Sequence, residues 1–244
     1  DKSESEYAGN ILQDLTKNKK SNDNVVKENE KSETQKGMKQ ILVDCEGSGE
    51  FLSLGEALRS GCVATGTVIT MRGGTYKENM GLCIELEHLT IQAASSKEKV
   101  VIHTYGGILV EANHVTLSGL SVDLLSPKGH DGIQKLGGHA IHVRAGTAVV
   151  LENCSATSAI GAAICVGDSG CSGDIDVTMM MCNARSSVGN AIICTGSRTQ
   201  LQLQQCNASH SKSGLEVLIG ATANVISSHF SCNKNCGVFV GLHA

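Results

Sequence analysis

The sequence predicts an all-β fold in which short parallel strands coil into a β-helix, closed at its N-terminal end by one short helix. Three observations predict it. Gly138, Gly161, Gly189, Gly214 and Gly237 recur at intervals of 23, 28, 25 and 23 residues, and each opens a short apolar run. A second frame, marked by Cys154, Cys182 and Cys206, runs seven or eight residues ahead of the glycines. Aromatic residues make up only 2% of the chain and there is one Pro, which suits a narrow interior stacked from small and β-branched side chains. A repeat of this size with two or three strands cannot bury a core alone, but coil stacked on coil buries a continuous apolar column.

Composition narrows the function classes. The chain has 244 residues and a net charge of −4, with no basic stripe and few rings for stacking, so nucleic acid is not an expected partner. No run reaches the roughly 18 apolar residues of a membrane helix. Charge divides the chain: residues 1–40 carry 8 Lys and 8 acids, against 12 basic and 16 acidic residues in the remaining 204. The segment 1–40 is expected to be a mostly disordered linker, too poor in apolar residues to offset its ordering entropy. Within it, Ala8, Ile11, Leu12 and Leu15 keep one apolar helical stripe, so a short helix is expected at 6–17. The β-helix is assigned to 41–244.

The body opens with a strand, Ile41-Leu-Val-Asp-Cys45, and a turn over Gly47 to Glu50. Ser53-Leu-Gly-Glu56 has capping-box form, and Leu54, Ala57 and Leu58 give the helix 53–60 one apolar face. Gly61 suits its stop. Val68-Ile-Thr-Met71 follows as a strand, then the Gly73-Gly74 turn and Thr75-Tyr76. Strands are also expected at 89–91, 100–102, 108–110 and 115–117. The five Gly-led strands follow: His139-Ala-Ile-His-Val143, Ala162-Ala-Ile-Cys-Val166, Asn190-Ala-Ile-Ile-Cys194, Leu215-Glu-Val-Leu-Ile219 and Val238-Phe-Val240. Strand alternation turns Glu216 outward, so Leu215, Val217 and Ile219 face in, and by register so do Ala162, Ile164, Val166, Val238 and Val240.

From Asp44 through Gly47-Ser-Gly-Glu-Phe51, the helix 53–60, and Gly66-Thr-Val-Ile69 into Gly73-Gly-Thr-Tyr-Lys-Glu-Asn79, the chain resembles the opening module of pectin-lyase-like right-handed parallel β-helices. It is most similar to pectin methylesterases and to the CASH β-helix domains of eukaryotic scaffold proteins. The resemblance covers about 42–80; beyond that it lies in the style of the repeat. It implies a right-handed coil whose helix plugs the N-terminal end, where a parallel sheet would otherwise expose unpaired edges.

The resemblance also implies where chemistry would sit. Methylesterases of the family use two aspartates, Gln and Arg on the outward sheet face; lyases use acids for calcium and a basic residue. The outward positions here are Ala140, His142, Arg144, Ala163, Cys165, Ala191, Ile193, Glu216, Leu218 and Phe239, with one carboxylate among them. Gly138-His-Ala140 resembles an esterase segment but lacks its Gln. So the resemblance implies the fold without the catalytic residues. No catalytic residue, cofactor or metal ligand is assigned, and Cys154, Cys182 and Cys206 are expected to be buried, reduced and metal-free at an interior turn. The odd count of 11 Cys, without disulfide spacing, points to a reducing, intracellular and cytoplasmic setting.

Two regions are candidates for binding a protein partner. The loop 126–138 is the longest insertion between coils, with Asp123, His130, Asp131, His139, His142 and Arg144 around it. The outward ladder Ala163, Cys165, Ile193, Leu218 and Phe239 is too apolar to be left wet. The last coil adds a third contact region, because nothing after Val238-Phe-Val240 blunts its edge. It is therefore expected to be followed by further coils or covered by another chain. The expected function is a non-catalytic scaffold or recognition module in a larger intracellular assembly. The alternatives are a pectin-type esterase or lyase, and, by analogy with F-box proteins carrying CASH repeats, the substrate-recognition β-helix of a ubiquitin-ligase subunit.

Overall fold

A computed structural model describes residues 38–126, 138–168, 170 and 173–241. The expected helix at 6–17 and the loop residues His130 and Asp131 lie outside these. The described residues from Lys39 to Gly241 form a compact body. In chain order its elements are β1 (Gln40–Val43), α1 (Leu54–Arg59), β2 (Val68–Met71), β3 (Gly74–Glu78), β4 (Leu82–Ile84), β5 (Thr90–Ala93), β6 (Val100–Thr104) and β7 (Ile108–Glu111). Then come β8 (Thr116–Ser118), β9 (Leu120–Leu124), β10 (Ile141–Glu152), β11 (Ser155–Ser158), β12 (Ile164–Val166), β13 (Ile175–Met180) and β14 (Asn183–Ser186). The last are β15 (Ile192–Thr195), β16 (Thr199–Gln204), β17 (Asn207–Ala208), β18 (Ser213–Leu218), β19 (Thr222–Ile226) and β20 (Cys236–Gly241).

Every ladder is parallel, and strands pair with strands one coil away, which makes a right-handed β-solenoid of about 7 turns with three sheet faces. The first face runs β1-β2-β5-β8-β10-β13-β16-β19, the second β3-β6-β9-β11-β14-β17, the third β4-β7-β10-β12-β15-β18-β20. Strand β10 serves two faces because it bends at Gly146, φ 117°, where the register slips. A side chain there would meet the Ala112 carbonyl at 2.1 Å, so the bend admits only glycine.

The interior consists of stacked columns. On the first face Ile41, Ile69, Ile91, Leu117, Leu151, Met179, Leu203 and Val225 lie in register. On the second, Tyr76, Ile102, Val122, Ala156, Ala184 and Ala208 do so. On the third, Leu82, Ile108, Ile141, Ile164, Ile192, Leu215 and Val238 follow one another. The second column tapers from Tyr to Ala while the other two stay aliphatic, so coil area is shared out by side-chain size. Gly119, Asn153, Met181, Gln205 and Ser227 turn the corner between first and second faces, all with φ between 49° and 72°. Just past that corner sit Cys154, Cys182 and Cys206, each 1% exposed. Their thiols donate across one coil to the carbonyls of Leu117, Leu151 and Met179 at 3.3–3.4 Å. Buried and hydrogen-bonded to Cys154 and Cys206, the Cys182 thiol is pushed up, so it stays protonated.

The N-terminal module folds as its residues suggest. Asp44 N–H donates to the Phe51 carbonyl (2.9 Å) and Glu50 N–H to that of Leu42 (2.8 Å), closing the turn. Gly49 packs so closely that a Cβ would fall 2.7 Å from the Leu42 oxygen. Ser53 caps α1, its hydroxyl accepting from Glu56 N–H at 3.1 Å. The Glu56 carboxylate reaches Leu52 N–H (2.9 Å) rather than Ser53, a capping box shifted by one residue. Leu54 and Ala57 are fully buried, and Leu58 packs on the core partly covered. Glu78 accepts from Gly55 N–H at 2.9 Å, and Tyr76 Oη donates to the Arg72 carbonyl at 2.7 Å.

Alternation misplaces four positions. Ala163 lies outside β12, in the bend before it, and is buried beside Ala162 instead of facing out. Ala140 and Ala191 are buried for the same reason, since β10 and β15 begin after them. Ile219 is past the end of β18, in a left-handed turn with φ 53°, and does not point into the column. Val238 and Val240 stack on Leu215 and Val217 as expected, yet are 48% and 71% exposed because no described coil covers them.

Candidate functional site

Register aligns one outward column along the third face: Cys83, Leu109, His142, Cys165, Ile193, Glu216, Phe239. Its start and its end differ in chemistry. At the start, Cys83 Sγ lies 3.6 Å from both Glu85 Oε1 and Glu111 Oε2. These three donor atoms fall within 4.8 Å of one another, so they could hold a metal ion. Burial pushes the Cys83 thiol up to about 12, helped by the two carboxylates, which disfavour a thiolate between them. Arg144 donates from Nε (2.7 Å) and Nη2 to Glu111 Oε1. Beside this pair a cavity of about 380 Å³ is lined by Glu111, Arg144, Asp168 and Ile175.

The middle of the column is covered: Leu109, His142 and Cys165 are 3%, 6% and 5% exposed. His142 Nε2 lies 3.1 Å from the Gly167 carbonyl, which can only accept, so Nε2 carries the proton. His139, in the turn before β10, packs edge-on against it, ring centroids 5.1 Å apart at 76°. Burial lowers both imidazoles, His139 to about 4, so both are neutral at pH 7. Towards its end the column carries Ile193, half-covered, then Glu216, which accepts from Asn190 Nδ2, then Phe239, 45% exposed; Leu218, two residues past Glu216 on β18, is half-covered as well.

The expected grouping of Asp123 with the histidines does not form. Asp123 is on β9, on the second face, while His139 and His142 lie a corner further along, at and before β10 on the third. Asp123 instead accepts from Thr157 Oγ1 at 2.6 Å and lies 3.4 Å from His103 Nε2, a ladder across three coils. Asp174 pairs with Arg198 at 2.7 Å. Sequence reasoning missed Cys83, Glu85 and Glu111. The coil period would have shown them, since Cys83 and Leu109 are 26 positions apart and take equivalent places.

The class this fold defines is the right-handed parallel β-helix. The structure resembles that of pectate lyase Pel9A with a TM-score of 0.62 and 13% identity, over 81% of this chain and 56% of that one. It resembles pectin methylesterase PemA from Erwinia chrysanthemi with a TM-score of 0.51 and 14% identity, over 75% and 66%. The chain thus spans between half and two thirds of the length of these structures. At such identity the likeness is one of fold. No family model and no curated protein matches the sequence. No helix among the described residues is long and apolar enough to cross a membrane.

Proposed function

We propose that this β-helix is a non-catalytic recognition module that docks a protein through the third face and its last coil. The observation that carries the reading is where the exposed apolar surface gathers. Val225, Ile226, Val238, Phe239 and Val240 are 39–71% exposed on the last coil, and Ile193 and Leu218 lead up to them along the third face. Contiguous patches of this kind mark interaction sites, unlike scattered apolar residues. A partner presenting apolar side chains suits this patch. The described cysteines form no disulfide, which fits a reducing intracellular setting.

A second reading, a polysaccharide-active enzyme, is favoured by one observation: Asp123, held between His103 and Thr157 on the second face. One set of measurements separates the two. The 1–244 chain should associate as concentration rises in sedimentation, and Phe239→Lys with Val240→Lys should suppress this. Methylated and demethylated pectin, with or without calcium, should give neither methanol nor unsaturated product. Turnover that Asp123→Asn abolishes would overturn the recognition reading in favour of the enzyme.

A further inference from the structure

We propose that His139 and His142 bind one divalent transition-metal ion of the zinc class through their Nδ1 atoms. The first ground is an accounting of polar atoms. Both Nδ1 atoms are buried and have no hydrogen-bond partner. His142 as a whole is only 6% exposed, and an unsatisfied buried acceptor is costly.

The second ground is the tautomer. His142 Nε2–H is spent on the Gly167 carbonyl, so Nδ1 carries the lone pair. A metal-binding histidine is oriented in this way, its other ring nitrogen donating to a backbone carbonyl. The third ground is ring geometry. Two imidazoles on one tetrahedral ion, each nitrogen about 2.0–2.1 Å from the metal, place their ring centres roughly 5 Å apart. The observed separation is 5.1 Å, with the planes at 76°.

The ligand type sets the class of ion. Neutral imidazole suits zinc, copper, nickel and cobalt, whereas calcium and magnesium want oxygen. Two protein ligands leave further positions on the ion for water or an external group. Cys165, in register with His142 on the next coil, is the nearest thiol in the column. The site is separate from the Cys83, Glu85 and Glu111 group, because Leu109 lies between Cys83 and His142 in the column.

Calorimetric titration of the 1–244 chain with zinc chloride tests this. An ion should bind whose affinity His139→Ala and His142→Ala each weaken about tenfold or more. Cys83→Ser and Glu111→Gln should leave it unchanged. In chain labelled with 15N-histidine, zinc should shift the Nδ1 resonances of two histidines and leave the His142 Nε2 proton in place, a readout needing no variant. Absence of binding would overturn the proposal. So would binding lost on Glu111→Gln but kept in the histidine variants.

Discussion

Ile41 and Val225 belong to the same inward column, yet Ile41 is 1% exposed on the first coil and Val225 is 39% exposed on the last described one. The N-terminal end is covered by α1, whose Leu54 and Ala57 are fully buried, and by the turn from Asp44 to Phe51. The other end has Val238 and Val240 in column positions and nothing described above them. Burial in a solenoid is therefore a property of neighbours and not of strand sequence. Each coil supplies half of the next one's core, so a coil with one neighbour is half-built. The contrast predicts that substitutions should cost much at the plugged end and little at the open one.

The largest effect belongs at the plug. Leu54→Ala removes a fully buried side chain from the junction of α1 with β1, β3 and β4. It should destabilise by about 2–5 kcal/mol, read by urea unfolding. Glu78→Ala should cost about 1–3 kcal/mol, since it strands the buried Gly55 N–H that its carboxylate accepts from. Ser53→Ala removes the cap hydroxyl and should cost about 1 kcal/mol. Equal small losses at all three would show that α1 is an ornament and break the comparison.

The interior cysteines test the middle of the coil, where both neighbours are present. An orphaned hydroxyl would make Cys182→Ser costly, but the structure supplies a partner. The serine hydroxyl would keep the thiol's bond to the Met180 carbonyl two residues back, as Ser228 Oγ already donates to the Ile226 carbonyl one coil beyond Cys206. The expected loss is within about 1 kcal/mol. Thiol reagents should label Cys182 only after denaturation. Labelling of the native chain would mean that the coils open at this corner.

How much of this was legible in the sequence follows from range. The cap at Ser53 and Glu56, the strand Val68–Met71 and the ladder of Cys154, Cys182 and Cys206 were readable because their signals are local or recur at one period. The inward column was readable wherever a strand persists, and failed at Ala163 and Ile219, which lie just outside strands where alternation has no meaning. The site was less legible. Arg144 and Glu111 are 33 positions apart, across a coil lengthened by the loop 126–138, so no fixed period pairs them. Asp123 and His142 are close in sequence but sit on different faces, since the chain turns a corner between them. The orphaned nitrogens of His139 and His142 depend on the Gly167 carbonyl and on burial, neither of which a residue pattern records.

The smallest stability effect is expected at the open end, and it is the sharpest test of the contrast. Val240 occupies the column position of Val217, which is 6% exposed, yet Val240 itself is 71% exposed. Val217→Lys would place an ammonium between two coils and should prevent folding of that region, because an unpaired buried charge is very costly. Val240→Lys places the same group at an equivalent position that solvent already reaches. A lysine stem can lie over Val217, where the valine lay, with its charge in water. Its cost should stay within about 0.5 kcal/mol, as for other exposed substitutions. The charge should meanwhile oppose burial of this patch, so sedimentation should show less association while the unfolding midpoint holds. A large loss of stability in Val240→Lys at low protein concentration, where the chain is monomeric, would mean that the last coil is covered from within the chain and that the two ends are alike.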